Sequence, residues 1–111
     1  MNQFVRLADY QKQRRSTYFS RHELGRILDV YSRRVASGEW RDYAIDHDGQ
    51  VASFSIFRHT HERPIFAIQK CNRGSQRPVE YYLISGKQQL KRGATLEEVL
   101  EAFDRRLEVV R

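Results

Sequence analysis

The chain has 111 residues, of which 40% are hydrophobic and 12% aromatic. That is enough for one domain with a modest core and too apolar for a chain disordered throughout. The formal net charge of +6 points to anionic partners: nucleic acid, phosphorylated ligands or acidic protein surfaces. No apolar run approaches the roughly 18 residues of a membrane span, the N-terminus carries no secretory h-region, and the lone Cys71 can form no internal disulfide. A cytoplasmic protein with no membrane partner is the simplest expectation.

Residues 1–17 show no sustained pattern and read as a mobile basic tail, although Phe4, Val5 and Leu7 could dock locally. Residues 18–111 read as a single α+β domain. Its first helix is signed by Ser20 and Glu23, spaced as a capping box, with Phe19 and Leu24 as the hydrophobic staple around it. Leu24, Ile27, Leu28, Tyr31 and Val35 recur at helical spacing. Arg33 and Arg34 fall in the last turns, where the helix dipole favours cations, and Gly38 is a natural stop.

The period then changes to two. Short strands are expected over 42–46, 51–58, 65–70, 79–85 and, more weakly, 88–92. Turn signals separate them: DHDG at 46–49, CNRGSQRP at 71–78 and Ser85–Gly86. Thr95 and Glu98 repeat the capping-box spacing, and Leu96, Val99, Leu100, Phe103 and Leu107 form the stripe of a closing helix. Short connections predict an antiparallel meander of four or five strands, with both helices on one face.

That arrangement groups strand ends in space. Trp40, Arg41, Arg58, His59, His61, Arg63 and Lys87 should gather at one edge of the sheet, with Arg33 and Arg34 nearby. It also leaves an outer face. If Phe54, Ile56, Phe66 and Ile68 point inward, then Val51, Phe57 and Ile65 point outward, and Tyr81 and Leu83 are candidates to join them. Such a face is unusually apolar for one open to solvent.

The run Tyr18 to Lys70, YFSRHELGRILDVYSRRVASGEWRDYAIDHDGQVASFSIFRHTHERPIFAIQK, resembles the alphaproteobacterial family of uncharacterised proteins known as domain of unknown function 2794. GEWRDYAIDH, Gly38 to His47, is its most specific part. The strand, polar turn ending in ERP, and following strand are similar as well, as are LKRG at 90–93 and the closing helix with its FDRRL. The resemblance covers roughly residues 18–108. It implies a small bacterial protein and supplies no catalytic residue.

Direct readings of the residues remain. His59 and His61 form an HxH pair whose side chains would share one side of a strand, but a zinc site needs a third or fourth ligand: Glu62 is adjacent and expected to point elsewhere, and His22 and His47 are expected to be distant. The competing reading is a polar loop between strands, with Pro64 setting the start of the next one. Cys71 lies beside an arginine-rich loop that could lower its thiol pKa, yet no histidine is close in sequence. There is no phosphate-binding or dinucleotide-binding glycine pattern, so no cofactor, metal or catalytic constellation is assigned.

Two binding functions from different classes are left. In the first, Arg33, Arg34, Arg41, Arg58, Arg63 and Lys87 meet an anionic ligand, nucleic acid above all, with Phe57, Tyr81 or Trp40 available to stack on bases. In the second, Phe57, Ile65, Tyr81 and Leu83 form an outer-face surface for a protein partner or a homodimer. Salt separates them, because phosphate binding weakens steeply with salt and apolar association does not. A third reading, that the basic residues only solvate exposed strands, needs no ligand at all.

Overall fold

The computed structural model describes residues 16–38, 40–59, 63–74 and 76–110, the last five as backbone only. The elements run α1 (Arg21–Ala36), β1 (Asp42–Asp48), β2 (Val51–Phe57), β3 (Phe66–Cys71), β4 (Glu80–Ser85), β5 (Gln88–Gly93) and α2 (Leu96–Val110). The tail expected over residues 1–17 lies outside the described residues except for its last two. Of these, Thr17 is buried and its N–H donates to the Gly49 carbonyl at 2.8 Å.

Helix α1 starts as its sequence predicts. The Glu23 N–H donates to Ser20 Oγ at 3.1 Å and the Ser20 N–H to Glu23 Oε1 at 2.7 Å, completing the capping box. Its buried stripe is Ile27, Val30, Tyr31 and Arg34, spaced i, i+3, i+4, i+7. Val35, expected on that stripe, is 38% exposed, because it sits one residue, or about 100° of helix rotation, beyond Arg34. At α2 the Thr95 hydroxyl accepts from the Glu98 N–H at 3.3 Å, so the hydroxyl half of the second box forms.

The sheet has five strands in the order β1-β2-β3-β4-β5, every neighbouring pair antiparallel. Two hairpins close through Gly-X pairs, Gly49–Gln50 and Gly86–Lys87, with the glycines at φ 59° and 62°. A positive φ at the first turn residue suits glycine, and it lets a two-residue connection follow the twist of the strands. The β1 turn is therefore tighter than the DHDG signal suggests. Asp46, His47 and Asp48 remain in the strand, opposite Ser53, Ala52 and Val51.

One sheet face is covered by both helices. Phe54, Ile56, Ile68 and Leu83 from the strands meet Ile27, Val30 and Tyr31 of α1 and Leu96, Val99, Leu100 and Phe103 of α2 in a single buried cluster. Trp40 is 3% exposed and closes its end. Its ring stacks on Phe103 with centroids 5.3 Å apart and planes at 6°, and on Tyr31 at 5.8 Å. A buried aromatic of this kind contributes several kcal/mol, about 3–5 on truncation to alanine. Trp40 thus ties both helices to the start of β1.

The register corrects the outer-face reading. Leu83 pairs with Ile68 and Tyr81 with Lys70, so both lie on the helix-covered side. Leu83 is 1% exposed in the core, and the Tyr81 hydroxyl bonds to Glu23 of α1. Ile65 is partly buried and also packs against the core. Of the four residues expected on an outer apolar surface, Phe57 alone keeps that position, half-buried at the end of β2. The physical reason is phase: a period-two pattern carries no face label across an irregular connection, and residues 72–79 reset it.

Candidate anion-binding site

The outer face shows what the register builds there. Ala44, Ser55, Ala67, Ile84 and Gln89 form one row across the sheet, and Asp46, Ser53, Gln69, Tyr82 and Arg92 the next. The small side chains of Ser55 and Ala67 leave a trough of about 330 Å³. It is lined by Ser55, Ala67, Gln69 and Ile84, with Arg63 and Lys87 at one end.

Local structure brings the cations to that end. The Arg41 N–H donates to the Phe57 carbonyl at 3.0 Å, which sets Arg41 beside Arg58 where β1 begins and β2 stops. The Ile65 N–H donates to the Ile56 carbonyl at 2.8 Å, carrying the β2–β3 pairing back toward Arg63. Ser85 Oγ donates to the Ile65 carbonyl at 3.1 Å and draws the Gly86–Lys87 turn alongside. With neighbouring strands ~4.8 Å apart, Arg41, Arg58, Arg63 and Lys87 form a front on the order of 15 Å wide. All are exposed.

Pairing separates these cations from others. Arg26 meets Glu97 at 2.6 Å, Lys70 meets Glu23 at 2.9 Å, Arg92 meets Glu80 at 2.5 Å and Arg105 meets Glu101 at 2.8 Å. Among the described residues, Arg41, Arg58, Arg63 and Lys87 enter no ion pair. Arg21, Arg73, Arg77 and Lys91 are also unpaired there and lie elsewhere on the fold. The two helix arginines expected at the site are otherwise occupied. Arg33 lies 3.6 Å from Asp104 and its Nε donates to the Asp29 carbonyl. Arg34 is only 8% exposed and is engaged in interactions of its own. The stacking aromatics are likewise reduced to Phe57, since Trp40 and Tyr81 face the core.

A second polar cluster escapes sequence reasoning. Glu23 Oε1 accepts from the Ser20 N–H and from Lys70 Nζ, Glu23 Oε2 accepts from the Tyr81 hydroxyl, and Lys70 Nζ also donates to the Tyr18 carbonyl at 2.9 Å. Burial pushes the Glu23 carboxyl up, but hydrogen bonds from Lys70, Tyr81 and Ser20 outweigh it and hold the group below the usual carboxylate range. Burial and the bond to Glu23 push the Tyr81 hydroxyl well above its ordinary range. Both carboxylate oxygens are engaged, so the cluster reads as a clasp between α1, β3 and β4. In sequence Glu23 is visible only as a helix cap, because Lys70 and Tyr81 become its neighbours through pairing alone.

Nucleophilic chemistry at Cys71 gains no support from geometry. Cys71 is 6% exposed, and burial pushes its thiol up, with Arg73 lowering it and Glu80 raising it. Among the described residues no three His, Cys, Asp or Glu side chains converge as metal ligands; His61 lies outside those residues. No helix among them is long and apolar enough to cross a membrane.

Among the described residues, fold and site together define an α+β protein with two helices on one face of an open five-stranded sheet and a cationic front at one end of its strands. The family model described as Protein of unknown function (DUF2794) matches residues 17–100, and the chain belongs to that family. The match ends within α2, before the FDRRL segment. No curated protein and no solved structure matches the chain.

Proposed function

We propose that the protein is a non-enzymatic binding module for an anionic ligand, nucleic acid above all, held at Arg41, Arg58, Arg63 and Lys87. The observation that carries this reading is the convergence of exposed cations without ion pairs beside an open trough. Cations left without carboxylate partners keep their full charge for phosphates. A front several strands wide suits a polyanion better than a compact anion. With Phe57 as the lone accessible aromatic among those considered, affinity comes from phosphate contacts more than from base stacking.

The rival reading, a homodimer or protein partner on the outer face, loses Tyr81 and Leu83 to the core. The position of β1 at the edge of the described sheet does not restore it. Asp42, Asp46 and Asp48 share one side of that strand, and a second copy pairing there would bring like charges together.

An amide NMR titration with short single-stranded RNA and with duplex DNA, at low and near-physiological salt, tests the proposal. Saturable shifts around residues 41, 58, 63 and 87 that weaken with salt are expected. No shift with either nucleic acid at low salt would sink it.

A further inference from the structure

The trough asks for more than a bare anion. Its volume of about 330 Å³ lies at the small end of the roughly 300–1,000 Å³ of small-molecule sites, and is far larger than the ~30 Å³ share of one water. A phosphate between Arg63 and Lys87 would occupy only its mouth. Behind the mouth the floor is flat, because Ser55 and Ala67 are small and pair directly across β2 and β3. Ile84 continues that row on β4, and Gln69 lies two residues further along β3, in the row farther from Arg63 and Lys87. The Gln69 amide offers both a donor and an acceptor, and Ile84 an apolar ledge.

We infer that this trough seats one nucleotide with a terminal phosphomonoester, its phosphate between Arg63 and Lys87 and its base on the Ser55–Ala67 floor beside Gln69. The inference rests on the anion-binding reading and names its ligand class. A phosphomonoester carries about −1.5 to −2 charge at neutral pH, which matches two cations better than the single charge of an internal phosphodiester. A flat floor accepts a planar ring, and an amide at its margin can read a base edge as base-pairing partners do. A base stacked inside a duplex cannot reach the floor without leaving the helix. The ligand is therefore a free nucleoside monophosphate or the 5′-phosphorylated end of a single strand.

The test uses the full chain with adenosine 5′-monophosphate, adenosine, inorganic phosphate, and a hexanucleotide RNA with a 5′-phosphate or a 5′-hydroxyl, read by amide NMR. The monophosphate should shift the amides of Ser55, Ala67, Gln69 and Lys87 saturably, with adenosine and phosphate each binding at least about tenfold more weakly. A preference of the same size for 5′-phosphorylated RNA would identify a strand end as the ligand, and its absence with the monophosphate still bound would identify the free nucleotide. Lys87→Ala, at an exposed turn tip, should weaken the monophosphate and leave adenosine unchanged. Gln69→Ala should weaken the monophosphate and leave inorganic phosphate unchanged. Equal binding of adenosine and its monophosphate overturns the inference. RNA shifts at Arg41 and Arg58 with the trough amides silent overturn it too, and leave the anion-binding reading standing. Silence everywhere at low salt overturns both.

Discussion

Lys70 Nζ lies 2.9 Å from Glu23 Oε1, joining the third strand to the cap of the first helix across 47 positions of sequence. The carboxylate that finishes the helix cap also neutralises a lysine directed into the helix–sheet interface. Both side chains are mostly buried, at 12% and 17% exposure. Replacing Glu23 with Gln should cost roughly 2–3 kcal/mol, since it leaves Lys70 charged without its partner. Tyr81→Phe, which removes a single bond to the same carboxylate, should cost less, about 1–2 kcal/mol. Urea midpoints of the two variants at neutral pH check the order.

The same cluster sets a pH dependence at both extremes. Glu23 titrates lower in the folded protein than in the unfolded chain. Its contribution is therefore present above about pH 4.3 and is lost as pH falls through the folded value. Tyr81 titrates higher when folded, so its contribution is present below about pH 10 and is lost as pH rises beyond it. One hydrogen bond links the two groups, so a double variant should cost less than the sum of the singles. Thermal melts from pH 3 to 11 should show both limbs in the native sequence. The acid limb should flatten in Glu23→Gln.

At the cationic front, Arg58→Ala combined with Arg63→Ala should weaken single-stranded RNA binding while leaving the melting temperature nearly unchanged, because both side chains are exposed and unpaired. The salt slope of the binding constant should fall by ~0.7 for each phosphate that is no longer neutralised. Arg33→Ala should leave affinity unchanged, since Arg33 faces Asp104. Unaltered RNA binding in the Arg58/Arg63 variant would show that the site is misassigned.

Trp40 is the only tryptophan and is packed against Phe103 and Tyr31. Its emission should be that of a buried indole, shielded from acrylamide, and should not be quenched by bound RNA. Trp40→Ala should destabilise by about 3–5 kcal/mol.

Cys71 should react slowly with a disulfide reagent at neutral pH, because burial disfavours its thiolate. Unfolding in urea should restore the rate of a free thiol. Rapid native labelling would contradict the buried position.

The features behind these expectations are unevenly legible in the sequence. Capping boxes, helical stripes and glycine turns are local signals, and Ser20, Glu23 and Gly86 behave as local signals should, whereas the DHDG signal overreaches: Asp46, His47 and Asp48 stay in β1 and Gly49 opens the turn. The gathering of Arg41, Arg58, Arg63 and Lys87 follows from meander geometry, which alternation and short connections already imply. What stays hidden depends on phase. Nothing in YYLI at 81–84 says which alternate pair faces the helices until β4 is registered against β3. Arg34 is misleading for a related reason. A helix-end arginine looks like a dipole partner, and its burial emerges only when the Ile27–Tyr31 stripe is fixed against the sheet.

The meander also carries a kinetic consequence. Each strand pairs with its sequence neighbour, so the sheet can be zipped from hairpins whose ends are near one another along the chain. The seal is different: Tyr81 meets Glu23 across 58 positions, and Trp40 meets Phe103. Folding should therefore proceed from short-range closures to long-range ones. Substitutions in the Gly49 and Gly86 turns should slow folding, whereas those in the Glu23 clasp should chiefly hasten unfolding. The clasp would then act as a latch that governs how long the native state lasts more than how fast it is reached.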